Sequence, residues 1–514
     1  MITIQHIYYM PAPSSLRLRR PRAETSSNAA RPARGATARS TRKTGKAGPP
    51  PAIALVSAVA VPPPRLSLAE ALASAHETHV LHLGRGVLCD AADVFREQFP
   101  GKRAVLVADL NTFEVAGARL QADLAADGVK CLAPFVFTDP GLYAEFKFVK
   151  QLEAALRKHR AIPIAVGSGT INDLVKLAAH RAGRPYLCVA TAASMDGYTA
   201  FGASITWRGA KQTFNCPAPR AVIADTTLIG RAPPAMTASG YADLLAKVTS
   251  GADWMLADAL GLEPIDPRAW AIVQGGLRTA LADPAGARAG LESAIRPLIE
   301  GLMLGGFAMQ WMKSSRPASG AEHQFSHLWD MEHHTHLGLA PSHGFKVGVA
   351  TLAVTALYEE LLRQPLETLD VARGCAIWPT KREAERAVRS EFARTDFATI
   401  AIAESRAKYI ARDALKPQLE RLRLIWPALR AQLRTQLIPH AELKARLQAV
   451  GAPTEPEEIG ITRERLRQSF RRAHAIRRRF TVLDLAVRTG RLDAALDRIF
   501  GAGGIWEIKP PQAA

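Results

Sequence analysis

The stretch IPIAVGSGTINDLVKLAAH, residues 162–180, decides the fold. Its first five residues are a short apolar run ending at Val166, and three small residues follow: Gly167, Ser168 and Gly169. From about Thr170, apolar residues recur at helical spacing to about residue 182. A strand feeding such a turn into a helix leaves unpaired N–H groups and the positive end of a dipole, a ready place for a diphosphate. Glycine permits the turn and a close approach of ligand to backbone. Any tight strand–helix turn favours glycine, however, and the GxGxxG spacing is absent.

Working outward, the pattern repeats. Residues 103–109 (RAVLVAD) predict a strand, 112–126 a helix, 129–137 (VKCLAPFVF) a strand and 143–159 a helix. After the central stretch come a strand at 186–190, a hairpin over 202–215 turned at Gly209, and a last strand at 220–225. Strands alternating with helices predict a parallel sheet covered on both faces. Beyond Pro233 and Pro234 the chain is rich in Ala, Leu and Arg at helical periods to about residue 500. The expected architecture is an α/β, Rossmann-like nucleotide-binding domain over 67–230 followed by an all-α, metal-binding domain over 231–505.

Composition narrows the class. The chain has 514 residues, 48% of them apolar, and a mean hydropathy of −0.02. No run approaches the roughly 18–20 apolar residues of a spanning helix, so an integral membrane protein is excluded. Five scattered cysteines without CxxC spacing argue against a disulfide framework or thiolate zinc and for a reducing cytoplasm. The net charge of +19 is half a property of the first fifty residues, which hold ten Lys/Arg and the single acid Glu24. Residues 1–66 read as a disordered basic leader, too poor in apolar residues to offset the entropy of ordering. The apolar run at 52–61 could pass for a signal sequence, but the basic stretch before it is too long and three prolines follow. Nucleic-acid binding would need aromatic groups among the basic ones, and residues 12–51 have none.

The helical half carries the second chemical signal, SGAEHQFSHLWDMEHHTH…SHGFKVGVA. Six of fourteen histidines fall between positions 323 and 343. His323 and His327, four apart, share a helix face, and His343 precedes an apolar helical run and should face inward at a turn. His333, His334 and His336 are expected at the surface. Imidazoles with one carboxylate suit zinc or nickel and leave a position open for an alcohol oxygen. Asp243, near a helix start capped by Ser239 or Gly240, is the candidate carboxylate, and Asp253 is the alternative. Asp109, at the end of a strand, stands where an acid could bond a ribose.

These motifs, in this order, resemble the sn-glycerol-1-phosphate dehydrogenases, within the iron-containing alcohol dehydrogenase and dehydroquinate synthase-like superfamily. The resemblance spans roughly residues 75–440 and rests on AVGSGTINDLVKLAA, ATAASMDGYTA, ADTTLI, GYADLLAKVTSGADW, SGAEHQFSHLWDMEHHTH and SHGFKVGVATLAV. It implies that Gly167, Ser168, Gly169, Thr170 and Ile171 hold an NAD(P) diphosphate, that Asp109 contacts the adenosine ribose, and that Thr191, Ala192, Ala193 and Ser194 line the nicotinamide side. It further implies a divalent metal on Asp243, His323 and His343, with Asp196 and His327 touching the substrate, dihydroxyacetone phosphate or sn-glycerol 1-phosphate. Asp243 would bridge metal and substrate. No nucleic acid is expected as a partner, and a homo-oligomer is.

Three positions depart from the family pattern. Ala200 replaces a serine that contacts cofactor, Ala242 precedes Asp243 where glycine is common, and Lys247 stands where archaeal relatives have a small polar residue. Lys247, four residues after Asp243, is placed to pair with it or to reach a phosphate. Eight arginines with one acid over 463–479 read as a solvated helix face. The rival within the superfamily is a glycerol dehydrogenase. The cyclases are disfavoured because they have glutamate at the Asp243 position.

Overall fold

The computed structural model describes residues 15–20, 63–207 and 210–509. In chain order the strands are β1 (Ser15–Arg19), β2 (Val80–Gly84), β3 (Ala104–Asp109), β4 (Phe135–Phe137), β5 (Ile162–Gly167), β6 (Leu187–Ala190), β7 (Ala203–Trp207), β8 (Ala210–Phe214) and β9 (Ala221–Asp225). Seven of them form one sheet in the order β1-β2-β9-β6-β5-β3-β4, and β7 and β8 pair separately. Every pair in the large sheet is parallel except β1 with β2.

Side-chain alternation explains why this sheet is double-faced. Leu106, Ile164, Val166, Val189 and Ile223 pack on one side with Val94, Phe95, Leu120 and Leu124. Val105, Val107, Ala165, Cys188 and Val222 face the other way, into a core with Val149, Leu152, Leu174 and Val175 that continues into the helical half. Burial on both faces is what makes the strands read as continuous apolar runs. Register aligns Ile164–Gly167 with Leu187–Ala190, so the glycine turn after β5 sits at the sheet's carboxyl edge beside the segment following β6. Open α/β sheets bind ligands at that edge.

Several expectations need correction. Part of the leader is ordered: Ser15–Arg19 adds an antiparallel edge strand to β2, because Leu16 and Leu18 pack against the core while Arg17 and Arg19 reach Asp90 and Glu97 at 2.9 and 3.0 Å. Residues 1–14 and 21–62 lie outside the described residues, as does the hairpin turn at Gly209. The strand expected over 129–137 shrinks to β4, with one bridge from Cys131 to Ala104. β2 carries no strong sequence signal and is nevertheless fully buried.

In the helical half, the helix His343–Leu362 is buried along nearly its whole length and packs against the helices Pro234–Leu245 and Ala321–Met331. Two glycines make the approach possible. A Cβ on Gly344 would fall 1.8 Å from the Ser239 carbonyl oxygen, and one on Gly240 would fall 1.9 Å from that of Ala193. The second contact presses the helix Pro234–Leu245 against the segment following β6. Among the described residues no strand follows β9.

Candidate metal and nucleotide site

A cavity of about 560 Å³ opens between the sheet's carboxyl edge and the helices. Ser168, Gly169 and Thr170 line one wall, Ser194 and Asp196 the next, and His323, His327 and His343 the far side. The turn is held by a hydrogen bond from Thr191 N to Gly167 O of 3.2 Å. Ser168 precedes the helix Gly169–Arg181 and makes no side-chain cap. Ile171, Ala192 and Ala193 are buried behind this wall. Asp109 sits at the end of β3, where it caps the next turn by accepting from Thr112 N at 2.8 Å.

Three helices deliver the opposite wall. Asp243, His323 and His343 each bring one ligand atom, and these atoms lie within 4.8 Å of one another. The start of the first helix differs from expectation: Pro234 begins it, not Ser239 or Gly240, and Asp243 lies near its end. Proline suits a first helical position because its missing N–H has no partner there anyway. His343 opens its own helix, capped by Ser342. Asp253, the alternative ligand, is elsewhere. It accepts from Tyr358 Oη at 2.6 Å, Val482 N at 2.7 Å and Ala321 N at 2.7 Å, and burial first, then the charge of Glu322, pushes its carboxyl up to about 7.

The donor set fits a divalent metal. Glu322 Oε1 binds His323 Nδ1 at 2.8 Å, leaving Nε2 3.6 Å from Asp243 Oδ1. A carboxylate on one ring nitrogen is the usual means of orienting an imidazole ligand through the other. Burial holds His343 down to about 3, in the neutral form a metal requires. Burial opposes ionisation of Asp243, but the Lys247 ammonium and the neighbouring His323 ring hold its carboxyl well below the usual range. Lys247, itself fully buried, lies 2.9 Å from Asp243 Oδ1 and 2.7 Å from Asp196 Oδ2, and Asp196 N donates to Asp243 Oδ2 at 3.0 Å. A carboxylate offers about four lone-pair positions, so Asp243 retains capacity for an ion.

His327 stands beside the triad, its ring 6.3 Å from that of His323 and 6.4 Å from that of His343. Its Nδ1 lies 3.1 Å from Arg477 Nη2. A guanidinium can only donate, so Nδ1 accepts and the neutral ring carries its proton on Nε2. Burial and then Arg477 hold this histidine well below the ordinary value.

Residues 82–233 match the model of the iron-containing alcohol dehydrogenase family. The glycerol-1-phosphate dehydrogenase [NAD(P)+] of Halalkalibacterium halodurans is 35% identical over 295 residues, which are 57% of this chain and 73% of that protein. The chain belongs to the glycerol-1-phosphate dehydrogenase family. The enzyme of the same name from Bacillus subtilis is 31% identical over 74% of this chain and 84% of its own length. Among solved structures, a glycerol dehydrogenase from Schizosaccharomyces pombe superposes with a TM-score of 0.50 at 16% identity, covering 80% of this chain and 88% of that one. That likeness shows the dehydrogenase fold alone.

As a family member, the protein is an oxidoreductase acting on a CH–OH group. Sequence reading missed some of its supporting residues. Glu322, the residue before His323, gave no signal beyond its type. Lys176, on the helix Gly169–Arg181, donates to the carbonyls of Gly197, Ala200 and Gly202 at 2.9, 3.0 and 3.0 Å and so shapes the segment carrying Asp196. Nothing in the helix pattern marked it, since Asn172, Asp173 and His180 share its face. Of the three histidines expected at the surface, His333 is exposed, but His334 is buried, accepting from Arg465 at 2.8 Å and donating to Ile459 O at 2.6 Å.

Proposed function

We propose that this protein interconverts dihydroxyacetone phosphate and sn-glycerol 1-phosphate with NAD(P), using one zinc or nickel ion on Asp243, His323 and His343. The observation that carries this reading is the meeting of that triad and a glycine turn at a helix start on opposite walls of one cavity. Family membership supports the substrate, since the relatives above are named for it.

In this reading Gly167, Ser168, Gly169, Thr170 and Ile171 cradle the diphosphate, and Thr191, Ala192, Ala193 and Ser194 back the nicotinamide. Asp109 would meet the adenosine ribose by turning from its cap on Thr112. Ala200 offers only a methyl group, so one side-chain contact to cofactor is absent. The bound ion supplies Lewis acidity to the substrate oxygen. The remaining work belongs to the chain. Lys247 fixes Asp196 and Asp243 in one geometry, so the substrate meets a site that needs little reorganisation. His327, protonated on Nε2, offers a donor to a substrate oxygen. We read the enzyme as a cytoplasmic homo-oligomer, in keeping with its five free cysteines for the compartment and with the family for the assembly.

The test is NADH oxidation by protein stripped of metal and then given Zn²⁺ or Ni²⁺, with dihydroxyacetone phosphate or dihydroxyacetone, beside His343→Ala. Metal-restored turnover of the phosphate ester alone, lost in the variant, is expected. Turnover of the free ketone alone would make the protein a glycerol dehydrogenase.

A further inference from the structure

The eight arginines of residues 463–479 are not alike once folded. Arg463 pairs with Glu457 at 3.0 Å, Arg465 with Glu332 at 2.8 Å, Arg467 with Asp497 at 2.5 Å, and Arg471 with Asp493. Arg472 lies 2.8 Å from Glu332, and Arg478 lies 2.5 Å from Glu404. Arg479 turns inward, donating to Ser319 O at 2.6 Å and Ser315 Oγ at 3.1 Å. Arg477 alone among them meets neither a carboxylate nor a carbonyl within hydrogen-bonding distance among the described residues. Its one bond goes to His327 Nδ1. The acid whose charge it feels, Glu404, is already engaged by Arg478 on both oxygens.

Arg477 is nevertheless held firmly in place. It belongs to the turn between the helices Arg463–Ala475 and Val482–Arg488. Asp484 bridges the two sides of this turn, 3.1 Å from His474 Nε2 and accepting from Thr481 N at 2.9 Å. Its neighbours Arg478 and Arg479 are both bonded to other elements. So placed, Arg477 lines the cavity that holds the metal triad and also a second cavity of about 740 Å³ that shares its wall. Lys211 lines both cavities too. The nearest acid to Lys211 is Asp330 at 3.9 Å, itself paired with Lys346. Two cations, Arg477 with no carboxylate on its fork and Lys211 at the long end of an ion pair, therefore line the wall that carries His327. An unpaired, partly buried guanidinium is costly unless an anion meets it, and its planar fork matches a phosphate's oxygens.

We propose that Arg477, with Lys211, is the anchor for the substrate's phosphate and sets the preference for a phosphorylated ketone over a free one. This rests on the dihydroxyacetone phosphate reading above and assigns its specificity to a residue outside the catalytic motifs. The ester's phosphate would lie against Arg477 while the carbonyl end lies at the triad, with His327 between.

The test compares wild type with Arg477→Gln and Arg477→Lys in two assays. In the first, kcat/KM for dihydroxyacetone phosphate should fall on the order of a hundredfold in Arg477→Gln, the loss of charge-assisted hydrogen bonds. The loss should lie in KM for dihydroxyacetone phosphate, with kcat within a few-fold of wild type, and Arg477→Lys should recover part of it. A fall in kcat with KM unchanged would make Arg477 a support for His327 and overturn the inference, as would no fall at all. In the second, calorimetric binding of inorganic phosphate to the metal-loaded protein should weaken at least tenfold in Arg477→Gln. Equal binding by both proteins would overturn the inference even where wild type proves to reduce only the free ketone, an outcome that would refute the substrate reading separately.

Discussion

The two walls of the cavity are built from different materials. On the sheet side the groups that face it are main chain and small side chains at Ser168, Gly169 and Thr170, positioned by strand register. On the helix side they are ionisable side chains at positions 323, 327, 343 and 477, with Asp243 and Lys247 fully buried behind them, delivered by separate helices and one turn. A main-chain wall is set by local sequence, because a strand and a turn are local structures. A side-chain wall depends on packing, buried charge and orienting partners, and each of these is a separate point of failure. Single substitutions should therefore damage the helix side far more selectively than the sheet side.

The largest effect is expected at the triad itself. Asp243→Asn keeps the shape of the side chain but removes the charge that a cation needs. Metal content should fall to near zero, and turnover should fall by about a thousandfold or more, since the ion supplies several kcal/mol of stabilisation. NADH affinity should stay within a few-fold, because the sheet-side wall is untouched. A parallel loss of NADH binding, read by fluorescence titration, would show that the walls are not independent.

Asp484→Asn probes the buried charges that hold the helix side together. Asp484 lies 3.2 Å from Lys408 and 3.1 Å from His474. Burial opposes its ionisation, but Lys408 and then His474 hold the carboxyl below the usual range. In the unfolded chain an aspartate titrates near pH 3.9. Between that value and the lower folded one, the unfolded state binds more protons, so stability rises with pH there. The contribution is present above about pH 4 and is lost as the pH falls further. The variant should lose about 3–5 kcal/mol at pH 7, the usual result of breaking a buried pair, and show a flatter acid limb in denaturant titrations from pH 5 to 3. An unchanged acid limb would show that the pair contributes nothing to acid stability.

The contrast between the walls also explains what could be read without the structure. Residues 162–180 gave away the sheet because strand, turn and helix are adjacent in the chain. The grouping of Asp243, His323 and His343 was legible because six histidines crowd into positions 323–343 and Asp243 stood as their candidate carboxylate, with the family resemblance favouring it over Asp253. The position of Asp243 late in its helix was not legible, since Pro233–Pro234 was read as a boundary and not as a helix start. Arg477 was indistinguishable from seven neighbouring arginines. Only folding brings it 150 positions back to His327 and gives six of the others their carboxylates. β1 was hidden in a leader of disordered composition, although SLRLR alternates as an edge strand should.

A smaller effect is expected from Glu322→Gln. Glu322 is fully buried and accepts from Gly320 N at 2.5 Å and Thr249 Oγ1 at 2.8 Å while binding His323. Glutamine can orient the imidazole but carries no charge to strengthen it. Metal affinity should drop about 10–100-fold, the common cost of losing such a partner, while saturating metal restores most turnover. Turnover that stays low at saturating metal would give Glu322 a role beyond holding its ligand.

The smallest effect should come from the sheet side, by removing residues 1–62. That deletion takes away β1, whose Leu16 and Leu18 are only partly buried and whose Arg17 and Arg19 are more than half exposed in their pairs with Asp90 and Glu97. Exposed pairs contribute about 0–1 kcal/mol each, and two partly covered leucines add on the order of 1–2 kcal/mol. A fall of a few degrees in Tm is expected, with kcat/KM and metal content unchanged. The reason lies in the strand order: β2 and β9 separate β1 from β6, and β5 with its glycine turn lies one strand further on. The loss is a frayed edge far from the ligands. If activity falls with Tm, the edge strand must shape the sheet's carboxyl end through β2 and β9, and the sheet-side wall would then depend on distant packing as the helix side does.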